Sequence, residues 1–171
     1  MSQLRTNSIV PVGGIPAGAS GGGVVQTVQS TLTSVISYNS GGAQIPITAS
    51  ITPRSSSNKI LIIGQICCDI DSSSRGFLSL SKAGSKITAY QGDAAGSRTL
   101  AVGNMENNDT GVAQIYTLCY LDSPATTSST TYGIVMERDG STMYVNRSSD
   151  DSNSGTRMRG ATSLTLLEIS G

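Results

Sequence analysis

Residues 60–70 read ILIIGQICCDI and residues 112–121 read VAQIYTLCYL, and these two β-prone blocks decide the class of fold. The first block is apolar on both faces at its start, which predicts a central strand covered on both sides. Residues 45–52 (IPITASIT) alternate strictly between apolar and polar or small positions, which is the period of a half-buried strand. Pro46 indicates an edge strand or a strand start, because proline cannot donate to a ladder.

Further strands are predicted on either side of these blocks, and no 15-residue stretch shows a helical period with caps. Their ranges are 24–33, 77–80, 86–90, 131–137 and 163–169. Residues 82–85 (KAGS) read as a hairpin turn. Asp139-Gly140 is the strongest short turn signal, and it predicts a tight hairpin between TYGIVMER and STMYVNR. The spacing of roughly 8–15 residues predicts an all-β sandwich or barrel over residues 24–171.

Strand alternation also makes predictions about neighbouring residues. Leu166 and Leu167 must point to opposite faces of the closing strand, and so must Cys67 and Cys68 in the central one. Adjacent cysteines do not match a zinc spacing, and three cysteines do not suit a secreted disulfide scaffold. We expect buried or half-buried thiols, with a bridge from Cys119 to one of the pair as the alternative.

The composition excludes several classes of function. The chain has 171 residues, no histidine and no tryptophan, so it has no His general base, no Ser-His-Asp triad and no His-ligated metal. Lys plus Arg and Asp plus Glu are 11 each, which gives no net field toward nucleic acid or an anionic membrane. The longest apolar run, residues 60–63, is too short to span a bilayer. Charged residues are only 13%, whereas Ser and Thr supply 46 residues.

Two segments superficially resemble ligand-binding motifs. Residues 150–155 (DDSNSG) lack the acidic third, fifth and twelfth positions of a calcium loop, and residues 92–98 lack the Walker lysine. We assign no catalytic, cofactor-binding or metal-binding residue from the sequence. A weak calcium site is left as a minor alternative for four loop carboxylates: Asp69, Asp71, Asp150 and Asp151.

Residues 1–23 differ in composition from the rest and form a Gly/Pro-rich segment. Glycines and prolines separate five apolar residues that a solvated linker would not need: Leu4, Ile9, Val10, Val12 and Ile15. We interpret this segment as an extended arm that attaches to a partner or to a neighbouring subunit, with these five residues as its anchors. The alternative is a terminal tail without a docking role.

Tyrosines and arginines cluster in sequence around Asp139-Gly140: Tyr132, Arg138, Tyr144 and Arg147. Both residue types are enriched at recognition hot spots, so these four define a possible recognition surface. The competing interpretation is a solvated sheet face with cross-strand pairs.

Several stretches together carry a resemblance that covers nearly the whole chain. They are LRTNSIVP (4–11), GGIPAGA (13–19), GGGVVQTVQ (21–29), ITPRSSSNKILI (51–62), GDAAGSRT (92–99), YLDSPATTSSTTY (120–132), NRSSDD (146–151) and SLTLLEI (163–169). The chain resembles small virion structural proteins of tailed, especially marine, phages, which include head decorations, head fibres and short tail fibres. The resemblance implies a jelly-roll-like antiparallel β-sandwich, three-fold symmetry and no catalytic residues.

Two functions are compatible with this resemblance. The first is a non-enzymatic, homotrimeric decoration or fibre-type protein on the outer surface of head or tail, held through its arm on a major capsid protein or another virion protein. The second is an adhesion module that binds host glycan or protein through distal loops. The trimer contact is expected to be apolar, because residues 60–63 and 112–121 are apolar on two sides while few charges are present to solvate a second face.

Overall fold

The computed structural model describes residues 23–39, 42–71, 74–106, 111–138 and 140–171. Eleven strands and one 3-10 turn (Thr88–Tyr90) account for its regular structure in these ranges. The strands are β1 (Val24–Leu32), β2 (Ile36–Tyr38), β3 (Gln44–Ile51), β4 (Lys59–Ile70), β5 (Arg75–Lys82), β6 (Ser85–Lys86), β7 (Gly103–Glu106), β8 (Gln114–Asp122), β9 (Thr130–Arg138), β10 (Met143–Val145) and β11 (Thr162–Ile169). No helix among the described residues is long and apolar enough to cross a membrane.

The strands form two antiparallel sheets, each four strands wide. In sheet A, β1 pairs with β11 and β2 pairs with β10, and the two pairs lie end to end. Both β11 and β10 pair with one side of β4, and β8 pairs with its other side. In sheet B the order is β3, β9, β5, and then β6 and β7 in line. When in-line pieces are counted as one strand, the orders are 1-8-3-6 and 2-7-4-5. This connectivity is that of an eight-stranded jelly roll, so the predicted all-β sandwich is confirmed.

The core lies between the sheets because alternate side chains of every long strand point inward. Ile60, Ile62 and Ile66 of β4 meet Ile134 and Met136 of β9 within a single cluster of buried residues. In the closing strand Leu166 is fully buried in this cluster, whereas Leu167 is half-buried on the outer face, as the alternation predicts. The first and last strands pair with each other, from Val24↔Ile169 to Leu32↔Thr162.

Of the two hairpins that the sequence predicts, the structure confirms one and contradicts the other. Ala83 and Gly84 both have positive φ, 50° and 81°, and connect β5 to β6 through a two-residue turn of the I′ kind. The predicted hairpin at Asp139-Gly140 is wrong. The strand before it, β9, pairs with β3 and β5 in sheet B, whereas β10 pairs with β2 and β4 in sheet A. The chain crosses between the sheets there.

Other boundaries are corrected in detail. Thr88–Tyr90 forms a 3-10 turn in place of the strand expected over residues 86–90. The short strands β2 and β7 were not predicted, because three or four mostly polar residues carry no period. Pro46 lies at a register shift of β3, an edge strand of sheet B, which agrees with its predicted place.

The segment 87–102 lies partly against the outer face of sheet B, while its residues Ile87, Tyr90 and Val102 pack against the core. Gln91 donates to Ser79 Oγ at 3.4 Å, and Lys86 Nζ donates to the Leu100 carbonyl at 3.3 Å. As a result the outward residues Ser79 and Val135 are 2% exposed although they lie away from the central cluster. One sheet of the sandwich is therefore partly covered by its own chain.

Candidate functional site

Tyr132 does not lie on a surface. Its side chain is 0% exposed, and its hydroxyl donates to Asp122 Oδ2 at 2.6 Å. Burial, and then the hydrogen bond and charge of Asp122, raise the pKa of Tyr132. Lys82 Nζ lies 2.7 Å from the same carboxylate and balances its charge. The prediction that Tyr132 belongs to a recognition surface is wrong, because alternate residues of β9 point into the core.

The other three residues of that predicted surface are held by their own chain. Tyr144 donates its hydroxyl to Asp71 Oδ1 at 2.8 Å, and the Arg147 guanidinium lies 4.3 Å from the centre of the Tyr144 ring. Arg138 donates to the carbonyls of Asn39, Gly140 and Ser141 where the chain crosses between the sheets. Tyr144 and Arg147 thus form one contact, and Arg138 fastens the crossing segment.

The loop carboxylates considered for calcium are bound by arginines and backbone amides. Asp150 lies 2.6 Å from Arg157, and Asp151 lies 2.8 Å from Arg147 and 2.7 Å from Arg159. Hydrogen bonds from Ser152 and Arg157 hold the pKa of Asp150 below its ordinary value. Across the described ranges, no three His, Cys, Asp or Glu side chains gather in a way that would hold a metal ion.

The three cysteines are free, so the alternative of a bridge to Cys119 is wrong. Cys68 belongs to the core cluster, and Cys67 points to the outer face of sheet A, as predicted. Cys67 is also buried, because Gly160 lies so close above it that a Cβ there would come within 2.3 Å of its sulfur. Burial raises the pKa of both thiols. Cys119, in contrast, is exposed.

The residues that directly follow the predicted arm are hydrogen-bonded to the last strand, next to a buried carboxylate. Leu4, Ile9, Val10, Val12 and Ile15 lie outside the described residues, which begin at Gly23. The Gly23 carbonyl accepts from the Ser170 amide at 3.0 Å. Nearby, Glu168 is 0% exposed and accepts from Asn58 Nδ2 at 2.5 Å, Gln26 Nε2 at 2.5 Å and the Arg54 amide at 2.7 Å.

The chemistry of Glu168 follows from these bonds. Burial alone would raise its pKa, but the hydrogen bonds from Asn58, Gln26 and backbone amides outweigh burial and hold the pKa below its ordinary value. Glu168 therefore stays charged and ties the first strand, the loop after β3 and the last strand together. Sequence reasoning missed this role, although the two-residue period of Leu164 and Leu166 places residue 168 on the inner face.

A cleft of about 540 Å³ lies where segment 87–102 covers sheet B. Phe77 lines it together with Lys86, Gln91, Arg98 and Glu137. Lys86 Nζ lies 2.7 Å from Glu137 Oε2, so these two charges largely neutralise each other. The cleft offers a half-buried aromatic ring and several hydrogen-bonding groups, a combination suited to a small polar ligand.

The outer face of sheet A has the opposite character, and we call it the uncharged face. It consists of the outward side chains of β8 from Ile115 to Leu121 and of their cross-strand partners on β4, β11 and β1, and it ends before the exposed Lys59 of β4. Cross-strand register places Thr27, Leu167, Leu61 and Leu121 in one row, and Gln29, Thr165, Ile63 and Cys119 in the next. Its apolar part is formed by six residues: Leu61, Ile63, Ile115, Cys119, Leu121 and Leu167. Ile115 is 57% exposed and Leu121 is 45% exposed.

No protein-family model matches the chain, and no curated protein matches it significantly.

Proposed function

We propose that this chain is a non-enzymatic structural protein of a tailed-phage particle. It acts as a homotrimeric head decoration or fibre-type protein on the outer surface of the virion and is attached through residues 1–23 to a major capsid protein or another virion protein. Jelly rolls serve as capsid and lectin domains, so the fold is compatible with this role without proving it.

The observation that carries the proposal is the set of hydrogen bonds that holds the start of the body, directly after the arm, to the last strand. Gly23 is bonded to Ser170, and the neighbouring buried Glu168 bonds the first strand through Gln26. A load applied to the arm is therefore transmitted to two paired strands of sheet A. A Gly/Pro-rich segment that carries five larger apolar side chains can gain contact area on a partner at the entropic cost of ordering the segment.

Removal of residues 1–20 tests this proposal. We expect the truncated protein to keep the melting temperature of the full chain, because all strands of both sheets lie within residues 24–169. We expect it to lose attachment to particles that lack this protein, as measured by co-sedimentation. A full-length variant with serine at Leu4, Ile9, Val10, Val12 and Ile15 is the matched control for length, and it should also fail to attach. Unchanged attachment of both variants would contradict the proposal.

An adhesion module is the second candidate, and the cleft beside Phe77 is the observation that favours it. Its lining of an aromatic ring, an amide and charged groups suits a saccharide. In this case the protein binds host cells through its body. Binding to cells that survives deletion of residues 1–20, together with unchanged particle attachment, would favour this candidate over the first.

A further inference from the structure

We infer that the uncharged face of sheet A is the surface on which a second copy of this chain packs. The inference gives the subunit contact of the proposed assembly a location. It rests on the proposed function only for the number of copies.

The first argument is charge. Along the registered rows from Leu121 to Ile115 on β8, and at their partners on β4, β11 and β1, the outward side chains of the described strands carry no charge. A neighbouring subunit can pack on such a face without burying an unpaired ion. A strongly charged partner would find nothing complementary there.

The second argument is size. Nine registered pairs join β4 to β8. The face is four strands wide from Leu61 to Gln65 of β4 and two strands wide beyond, which covers about 400 Å² from strand spacings of about 4.8 Å and a rise of about 3.3 Å per residue. A standard interface buries about 800 Å² per partner, so this face supplies about half of such an area. In a closed ring each subunit also makes two contacts, which adds to the stability of the assembly.

The third argument is the edge of the sheet. In the described part of the chain β8 pairs only with β4, so one side of a nine-residue strand is an edge. Natural proteins protect long edge strands with charges, prolines or cover. From Gln114 to Leu121 this strand has neither a charge nor a proline. The Tyr90 hydroxyl accepts from the Cys119 amide at 3.4 Å and provides limited cover. The edge is continuous with the uncharged face, and one neighbouring subunit can cover both.

The two sheets differ in a way that supports the same conclusion. Segment 87–102 buries outward residues of sheet B, including Val135. On sheet A, the cover that the described residues provide is Gly160 at one end, above Cys67, while Ile115 and Leu121 are exposed. Exposed apolar area of this extent marks an interaction surface more often than an ordinary surface.

Substitution of a charge into the face tests the inference. Leu121→Asp and Thr117→Asp each place a carboxylate on it, and Thr48→Asp places one on an exposed position of sheet B as the matched control. We expect light scattering to give about three times the 17.5 kDa chain mass for the native protein and the control. We expect the two face variants to associate at least about 100-fold more weakly, because a buried unpaired charge is costly. Thr117 is already polar and exposed, so its variant keeps the apolar contacts and should fold.

Cys119 gives an independent measurement, because it is the one exposed thiol of the three and lies in the second row of the face. We expect a water-soluble disulfide reagent to label it at least about tenfold more slowly in the native assembly than in Thr117→Asp. A native monomer at micromolar concentration, or face variants that assemble like the control, would overturn the inference.

Deletion of residues 1–20 distinguishes a failure of this inference from a failure of the proposed function. Continued assembly and protection support a second copy as the cover, whatever happens to particle attachment. Loss of protection alone would identify the arm as the cover and refute the inference.

Discussion

Replacement of Glu168 by glutamine should destabilise the body strongly, although the change removes only a charge. Glu168 accepts from Asn58 and the Arg54 amide through Oε1 and from Gln26 through Oε2. Glutamine keeps one acceptor oxygen, so an amide must now face the Gln26 amide, donor against donor. If Gln26 turns its amide over, it loses its 2.8 Å bond to the Thr52 carbonyl.

The expected cost follows from this count. One charge-assisted bond is lost, and one buried polar group is left without a partner, which together give about 2–4 kcal/mol. For a domain of this length the loss corresponds to a decrease in melting temperature of roughly 5–15 °C. Urea unfolding at fixed protein concentration measures the free energy. Glu137→Gln is the matched control, because its ion pair with Lys86 is partly exposed and is worth at most about 1 kcal/mol.

The pH dependence of the same pair of proteins tests the electrostatic part of the argument. The folded pKa of Glu168 is lower than its unfolded pKa, so its contribution is present above the ordinary value near about 4.3 and is lost as the pH falls through the folded pKa. The stability difference between native protein and Glu168→Gln should be largest above about pH 5 and decrease below about pH 4. A difference below about 0.5 kcal/mol at pH 7, or one that grows in acid, would refute the reasoning.

Two further substitutions test the packing around sheet A. Asn146→Ala should lower the free energy of unfolding by about 2–4 kcal/mol. The Asn146 side chain is fully buried, donates to the Leu32 and Ser34 carbonyls at 2.8 and 2.9 Å and accepts from Thr162, and its φ of 61° suits asparagine better than alanine. A loss below about 1 kcal/mol in urea unfolding would contradict this assignment. Gly160→Ala should lower the melting temperature because its Cβ would come within 2.3 Å of the Cys67 sulfur. Cys67→Ala in the same chain should restore part of the loss, since it removes the sulfur but leaves Cys67 Cβ at 2.9 Å. A double variant as unstable as the single one would show that the sulfur contact is not the cause.

The strands were predictable because their signal is local and strong. Residues 45–52 alternate, residues 60–63 are apolar on both faces, and the Lys82–Ser85 turn contains Gly84, which adopts a positive φ without steric cost. The Asp139-Gly140 hairpin failed because a turn signal carries no information about pairing partners. Those partners are chosen by the fit of β9 to sheet B and β10 to sheet A. A sequence window of ten residues contains no information about such long-range strand pairing.

The site residues show the same division. Tyr144 and Arg147 lie in contact, since three residues of separation keep them close, and their part in a recognition surface stays a prediction. Tyr132 was misplaced because its partner Asp122 belongs to the other sheet, and composition around a turn does not reveal which face of a strand is inner. Glu168 was missed because no local motif marks it, although its place in the period of β11 puts it on the inner face. Polar residues on an inward register position are therefore candidates for buried networks.

The uncharged face can be located only when the charge count of the sequence is combined with the register of the strands. The sequence shows that too few charges are present to solvate two sheets, but the excess of apolar and hydroxyl residues does not show which sheet lacks them. Register decides this, because it aligns Leu167, Leu61 and Leu121 on one outer face, while segment 87–102 lies over the other. A jelly roll can cover its outer faces with its own loops or with neighbours. Sheet B, which segment 87–102 partly covers, carries the cleft, and sheet A, whose described residues leave Ile115 and Leu121 exposed, is joined to the predicted arm at Gly23. Assembly and attachment are therefore expected to use the same side of the sandwich, which leaves the cleft side free to face outward.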